Sequence, residues 1–411
     1  MAHDCGDSGG HRKLLPLQGA LDAYAERIRP LAAERGPVHE CLGRVLAEPA
    51  ASSVDLPLFT QGAVDGYALR STDATQPLRV TGEIAAGDAG GLSVGPGEAL
   101  RIFTGGALPA GADTVARQEI VQRDGDTIRL TESLGAGVDT RYRGEEIREG
   151  DPISPAGRRL HSGLLAALAM AGVQQVSTRP RPRVAVLVTG NEVAQPGQAL
   201  APGQIHDANG PLCHGWLAER GYPLALLRYV PDSLDAVTAA LQDAAACADL
   251  VITSGGVSVG DHDHLPAAAQ AAGFERVFWK VAQKPGKPIW YGMRDNQPLL
   301  ALPGNPGAVL IGLHVHVIRA LQLLEGADEP APLWREGALA VDFKADRQRD
   351  SLLRVTVGQD ESGRVVLGRL GKQDSHMLSN LARADALAWL PASEGPLLAG
   401  TRVRWISLGS A

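Results

Sequence analysis

The chain has 411 residues, 44% of them hydrophobic and 4% aromatic, and carries a formal net charge of -7. That length exceeds one ordinary core and predicts roughly two to four domains. The acidic balance excludes a general nucleic-acid binder, because a phosphate backbone would meet an excess of like charge.

The opening stretch "MAHDCGDSGGHRK" has no apolar h-region, so no signal peptide is expected and residues 1–15 read as a disordered tail. No run approaches the roughly 18 apolar residues of a membrane span. Four cysteines, Cys5, Cys41, Cys213 and Cys247, lie far apart with no C-x-x-C pair, which excludes zinc-site spacing and leaves reduced thiols in a cytoplasmic protein. Leu21, Tyr24, Ile28 and Leu31 recur at helical spacing and predict an amphipathic helix closed by Gly36-Pro37. Between Asp55 and Gly144, short runs such as "LRVTGEI" and "LRIFTGG" alternate with Gly/Pro/Asp turns, the texture of a small all-β module. "HSGLLAALAMAGVQQV" reads as a second helix that could pair with the first, which would make the β module an insertion.

From Arg183 the runs "RVAVLVTG", "LALLRYV", "DLVITSG", "VFWKV" and "PLLALPG" are apolar and mostly separated by helical stretches. Such continuity marks an open parallel sheet covered on both faces. The tail returns to β texture, with a hairpin turning at Asp360 to Gly363. The fold class is thus multidomain α/β plus β. Its parts are a helical domain (16–55 and 145–182), an inserted β module (56–144), an α/β domain (183–326) and a C-terminal β domain (327–411).

Ligands of open parallel sheets sit beyond the carboxyl ends of the strands. Those ends read "TGNE", "VPDS", "TSGGVSVGDHD", "KVAQKPGKP" and "LPGNPG", a convergence of glycine, proline, acids and lysine. In the third, Gly255 and Gly256 let backbone N–H groups face an anion and Ser258 adds a hydroxyl; an ordinary turn is the alternative. In the last, Pro303, Asn305 and Pro306 introduce an apolar helix running to Leu324, with Asn305 as N-cap and free N–H groups for an oxyanion. The chain has six lysines, and Lys280, Lys284 and Lys287 fall within eight residues, which suits a phosphate. Glu192, Asp232 and Asp263 each follow a different strand end. Carboxylates beside phosphates need a divalent ion between them, and magnesium prefers oxygen ligands. His262/His264 and His314/His316 share an i,i+2 spacing that does not favour joint ligation, so they read as structural or surface residues. Asp65, Thr104 and Glu146 sit at glycine turns of the first β module, which spacing alone cannot connect to the α/β site.

The series "AVDGYA", "FTGG…LPAG", "RYRGEEI", "TGNE", "TSGGVSVGDHD", "FWKVAQKPGKP" and "LPGNP" resembles the molybdopterin molybdenumtransferases (molybdenum insertases), which include the E domain of gephyrin. The resemblance spans about residue 16 to the C-terminus, and the α/β domain alone also resembles molybdopterin adenylyltransferases. It implies a molybdopterin-binding type of α/β domain, a barrel-like C-terminal domain and a homodimer whose pocket joins one chain's α/β domain to the other's β module. The implied reaction consumes adenylylated molybdopterin and molybdate and releases AMP, with Mg2+ assisting. Gly255, Gly256, Ser258, Lys280 and Lys284 would hold phosphates; Glu192, Asp232 and Asp263 would manage metal and charge; Asp65, Thr104 and Glu146 would handle molybdate or the metal. A molybdopterin adenylyltransferase and recipient molybdoenzymes are the implied partners. Departures from the family pattern are Gln61, Gly62 and Val64 before "DGYA", Arg117, Asn191, and Gly307-Ala308 after the second proline. A non-catalytic scaffold paralogue and a nucleotide enzyme of the adenylyltransferase type stay open as alternatives.

Overall fold

The computed structural model describes residues 14–88, 91–257 and 264–409. Contacts divide the chain into two units, residues 35–178 and the remainder.

In the larger unit, a six-stranded sheet runs in the order Leu224–Val230, Val184–Thr189, Leu250–Ser254, Gln297–Leu302, Trp290–Arg294, Glu275–Trp279. The first four strands are parallel. Every residue of Val184–Thr189 and of Leu250–Ser254 is buried, which is why both read as unbroken apolar runs. Period-two geometry sorts them between two cores. Val184, Val186, Val188, Leu250, Ile252, Leu300 and Leu302 face one core, while Ala185, Leu187, Val251, Leu299 and Ala301 face the other.

One strand is not expected from the sequence. "WYGMR" forms Trp290–Arg294 and pairs antiparallel with Gln297–Leu302 across the tight Asp295-Asn296 turn, where Asp295 takes φ 52°. Glu275–Trp279 pairs antiparallel with that strand in turn. The two reversals cancel, so Glu275–Trp279 ends on the same edge as the four parallel strands.

The first helix is shorter than expected, Leu17–Arg27. Ile28 is already extended, and Arg29 precedes Pro30, a position that disfavours the α region. Its buried face (Leu17, Ala20, Leu21, Tyr24) belongs to the α/β core, where Tyr24 meets Tyr291 edge-on at 4.6 Å. The second helix, Ser162–Met170, joins Val38, Cys41, Leu46 and Leu160 in a core of the other unit. The aromatic face of the first helix is covered by Phe278 and Tyr291 of its own unit.

Pro306–Leu324 is one continuous helical rod whose middle, Gly312–Val317, is π-wound. This is the apolar helix expected after Pro306, and by length and composition its 19 residues could cross a membrane, contrary to the expectation that no run approaches that length; 78% burial identifies it as the core helix of the α/β domain. His314 and His316 are both buried on it, and burial lowers each imidazole pKa to about 3, so both are neutral.

The C-terminal residues form a closed sheet. Asp350–Gln359 pairs with both Val365–Arg369 and Ala386–Leu390, and Arg335–Leu339 with Arg402–Ser407 completes the ring. Its hairpin turns where Asp360 Oδ1 accepts N–H bonds from Ser362 and Arg364.

In residues 35–178, the strands Thr114–Arg117, Gly66–Leu69, Glu98–Ile102, Leu78–Ile84, Thr127–Leu130 and Val121–Asp124 make a mixed sheet with a small core on each face.

Candidate functional site

Five strands of the α/β sheet end on one edge, and their loops enclose a cleft of about 750 Å³. Glu192, Asp232, Gly255, Gly256, Pro303, Asn305 and Pro306 all line it. Gly255 takes φ +96°, and a Cβ there would stand 2.5 Å from the Thr189 carbonyl oxygen, so only glycine fits the junction of the two strand ends. Gly304 lies directly opposite, and a Cβ on it would meet nothing nearer than the Gly255 Cα at 3.8 Å.

Glu192 folds back over its own turn, with its carboxylate against Gly190. Asn191 uses its side-chain oxygen to accept the Asp232 N–H at 3.0 Å, joining the first two acid-bearing loops. The amide thus has a structural task that an acid could also perform as an acceptor. Among the described residues, no three His, Cys, Asp or Glu side chains converge as a metal-binding group. Glu192 and Asp232 alone still match what magnesium requires, since that ion keeps several waters and takes one or two carboxylates alongside substrate phosphates. Ser258 and Asp263, and with them His262, lie outside the described residues.

A second cleft of about 1480 Å³ opens between the same loops and the C-terminal barrel, and it shares Pro288, Pro303, Asn305 and His376 with the first. Lys284 and Lys287 line it, as do Lys344, Arg349 and Arg369 from the barrel. Lys284 pairs with Asp346 at 3.7 Å. Burial pushes the Asp346 pKa up, but N–H groups from Gln348 and Arg349 and the Arg349 guanidinium outweigh it and hold it below the ordinary value. Lys280 is placed elsewhere: its ammonium lies 4.1 Å over the Trp279 ring, and it lines neither cleft. Its φ of +73° turns the chain at the strand end and directs the side chain back onto the neighbouring indole.

Asn305 does not cap the helix through its side chain. Its amide instead donates to Ser375 Oγ at 2.8 Å, fastening the barrel loop to the cleft. At Gly307 the space a side chain would fill is taken by the buried Arg354 guanidinium, which accounts for a glycine at this departure from the family pattern.

Two residues outside the motifs singled out in the sequence shape the smaller cleft. Asp207 Oδ1 accepts the N–H of Asn209 at 2.8 Å, and its Oδ2 accepts the Tyr229 hydroxyl at 2.9 Å. Burial and that carboxylate raise the Tyr229 pKa to about 12. Asn209 donates through Nδ2 to the Gly304 carbonyl at 2.6 Å, and its Oδ1 is buried without a partner among the described residues. "IHDANG" could have been read as a turn, because an aspartate side chain commonly accepts the backbone N–H two residues on; Asn209 had no such signal.

In the unit of residues 35–178, Asp65 and Thr104 meet directly. Asp65 Oδ1 accepts both the backbone N–H and the hydroxyl of Thr104, each at 2.8 Å. These bonds, with the Arg101 charge nearby, hold the Asp65 carboxyl below its ordinary pKa. The Arg101 guanidinium stacks over Tyr67 at 5.0 Å and Phe103 at 5.2 Å and donates to Gln118. Arg117, which departs from the family pattern, is neutralised by a two-pronged pair with Asp139 at 2.7 and 2.9 Å. Glu146 is exposed; its backbone N–H donates to the Leu56 carbonyl, and no hydrogen bond links it to the Asp65–Thr104 pair.

Comparison with known proteins gives three consecutive matches. Residues 15–172 match the MoeA N-terminal region (domain I and II), 185–323 a probable molybdopterin binding domain, and 336–408 the MoeA C-terminal region (domain IV). A molybdopterin molybdenumtransferase of Staphylococcus epidermidis is 32% identical over 371 residues, covering 89% of this chain and 88% of that one. One from Staphylococcus aureus is 30% identical over 399 residues, covering 95% of each. A crystal structure of the molybdopterin biosynthesis MoeA protein of Pyrococcus horikoshii superposes with a TM-score of 0.81 at 26% identity, covering 96% of this chain and 100% of that one. With the motifs in family order and the fold matched along nearly its whole length, the chain belongs to the molybdopterin molybdenumtransferase family.

Proposed function

We propose that this protein is the molybdenum-inserting transferase of molybdenum cofactor biosynthesis, taking adenylylated molybdopterin and molybdate and releasing AMP. The observation that carries the reading is the pair of joined clefts. One is lined by acids, Glu192 and Asp232; the other carries the lysines, Lys284 and Lys287. A substrate that bears two phosphates, a dithiolene and a pterin can use both environments at once.

On this reading Lys284 and Lys287 neutralise phosphate charge, and the N–H groups of the Gly255–Gly256 turn supply hydrogen bonds beside it. Glu192 and Asp232 would hold Mg2+, whose chemistry is to offset phosphate charge while AMP leaves. Asn209 Oδ1 offers an acceptor to a ring N–H of the substrate. Asp65 is held ionised by Thr104 and Arg101 and suits a role beside a metal or an exchanging proton. We infer further that the active species is a homodimer in which Asp65, Thr104 and Glu146 of the partner subunit complete the site. The location is cytoplasmic, a molybdopterin adenylyltransferase supplies the substrate, and cofactor-free molybdoenzymes receive the product.

The test is AMP release from adenylylated molybdopterin by the purified chain, with molybdate and magnesium varied separately. Release that needs both supports the proposal. Binding of the adenylylated pterin without release would make this a scaffold, and release without molybdate would make it a nucleotide hydrolase. Mixing Asp65→Asn with Asp232→Asn protein tests the composite site, because only a shared site restores activity in the mixture.

A further inference from the structure

The loop that carries Lys284 and Lys287 has little regular structure to hold it. Only Gln283–Lys284 pairs with a neighbouring strand, at Asp350–Ser351, and Pro285 and Pro288 have no N–H to donate. The loop is wrapped around the Gln283 side chain: a Cβ on Gly286, at φ +91°, would stand 2.6 Å from Gln283 Nε2. That amide donates to the Pro285 carbonyl at 3.3 Å, which fixes its orientation and leaves Oε1 as acceptor.

Oε1 lies 2.9 Å from His316 Nε2, and His316 Nδ1 lies 3.0 Å from the Tyr24 hydroxyl. The direction of the chain follows. Gln283 Oε1 can only accept, so His316 Nε2 carries the proton, and Nδ1 accepts from Tyr24. All three side chains are 0% exposed and stand in an apolar core. Three buried polar groups cost stability unless fully paired, whereas a phenylalanine and two leucines would pack there without that risk. A second tie runs parallel to the first: Leu15 bridges Val281, and the Ala282 N–H donates to the Leu15 carbonyl at 2.7 Å.

We propose that His316 and Gln283 are positioning residues, braced by Tyr24 of the N-terminal helix, that set where Lys284 and Lys287 present their charge to the substrate. The inference rests on the reading of those lysines as phosphate-binding. It assigns no contact with substrate to His316 or Gln283 themselves.

The test uses the full chain with His316→Phe, Gln283→Met and Tyr24→Phe. AMP binding is followed by calorimetry, and AMP-release kinetics give KM and kcat. His316→Phe and Gln283→Met should each weaken AMP binding and raise KM about 10-fold while kcat stays within about twofold, since a small misplacement of a binding group is costly. Tyr24→Phe leaves the His316–Gln283–Pro285 bonds in place and should change KM less than about threefold. A folded His316→Phe or Gln283→Met protein with wild-type KM and AMP affinity overturns the inference while leaving the function standing. A wild-type chain that binds no AMP removes the phosphate-binding reading and the inference with it. Should His316→Phe fail to fold, Gln283→Met and Gly286→Ala decide, because both act within the loop.

Discussion

Gly255→Ala tests the geometry at the floor of the cleft. The added methyl would stand 2.5 Å from the Thr189 carbonyl oxygen and 2.7 Å from its hydroxyl, and φ at this position is +96°. Thr189 is the last residue of an interior strand paired on both sides, so its backbone cannot retreat without breaking the sheet. A non-glycine residue held at positive φ costs roughly 1–3 kcal/mol. With the clash added, destabilisation of about 2–4 kcal/mol is expected, in line with alanine at sites whose conformation it cannot adopt. Gly304→Ala is the internal control, because its methyl would meet only the Gly255 Cα at 3.8 Å; a change within about 0.5 kcal/mol is expected there. Urea unfolding followed by tryptophan fluorescence reads both, since Trp290 is buried in the core beside this strand. Equal midpoints for the two variants, or a larger loss at Gly304, would refute the reasoning.

Asp65 should titrate below the ordinary aspartate range by carboxyl carbon NMR, and Thr104→Val should move it upward by removing one of its two donors. Because the folded pKa is depressed, the stability contributed by ionised Asp65 is present above the unfolded value and lost as pH falls through the folded one. Lys284→Ala should leave the melting temperature nearly unchanged, since the lysine is exposed and its long 3.7 Å pair with half-buried Asp346 is worth about 0–1 kcal/mol. The same variant should weaken AMP binding and flatten its salt dependence, which calorimetry at two ionic strengths would show. Asn209→Ala should cost about 0.5–1.5 kcal/mol in unfolding experiments by removing its hydrogen bond to the Gly304 carbonyl.

Legibility tracked how local the cause was. The buried strands Val184–Thr189 and Leu250–Ser254 were readable because a strand covered on both faces must be apolar throughout. Gly255 and Gly256 were readable because positive φ is a glycine property. Trp290–Arg294 was missed, although Asp295-Asn296 is a turn signal, because it sits in a run where lysines and prolines drew the reading towards a loop. What covers the first helix within its own unit was not legible for a different reason. Its face carries Tyr24, and only the structure reveals that Phe278, Tyr291 and His316 wait for it at separations of more than 250 residues.

The site divides in the same way. Acids and lysines at strand ends could be named from composition, and Glu192, Asp232 and Lys284 do line the clefts. Lys280 could not be separated from Lys284 by spacing, since what removes it is an indole one residue away and a left-handed turn. Asn209, Asp207 and Arg354 are defined by what they touch across the fold, and no local pattern encodes that. Asn191 and Gly307 look like losses in the sequence; in the structure one bonds the Asp232 loop and the other yields its space to a buried guanidinium.

The central claim is metal transfer, and the most direct measurement is activation of a cofactor-free molybdoenzyme. The purified chain would be supplied with adenylylated molybdopterin, magnesium and molybdate at a concentration too low for spontaneous insertion. The account predicts that enzyme activity and molybdenum content of the recipient rise together, only when this chain is present, and fall in Lys284→Ala and Asp232→Asn. Recipient activity that is the same with and without the chain, while AMP is still released, would contradict it.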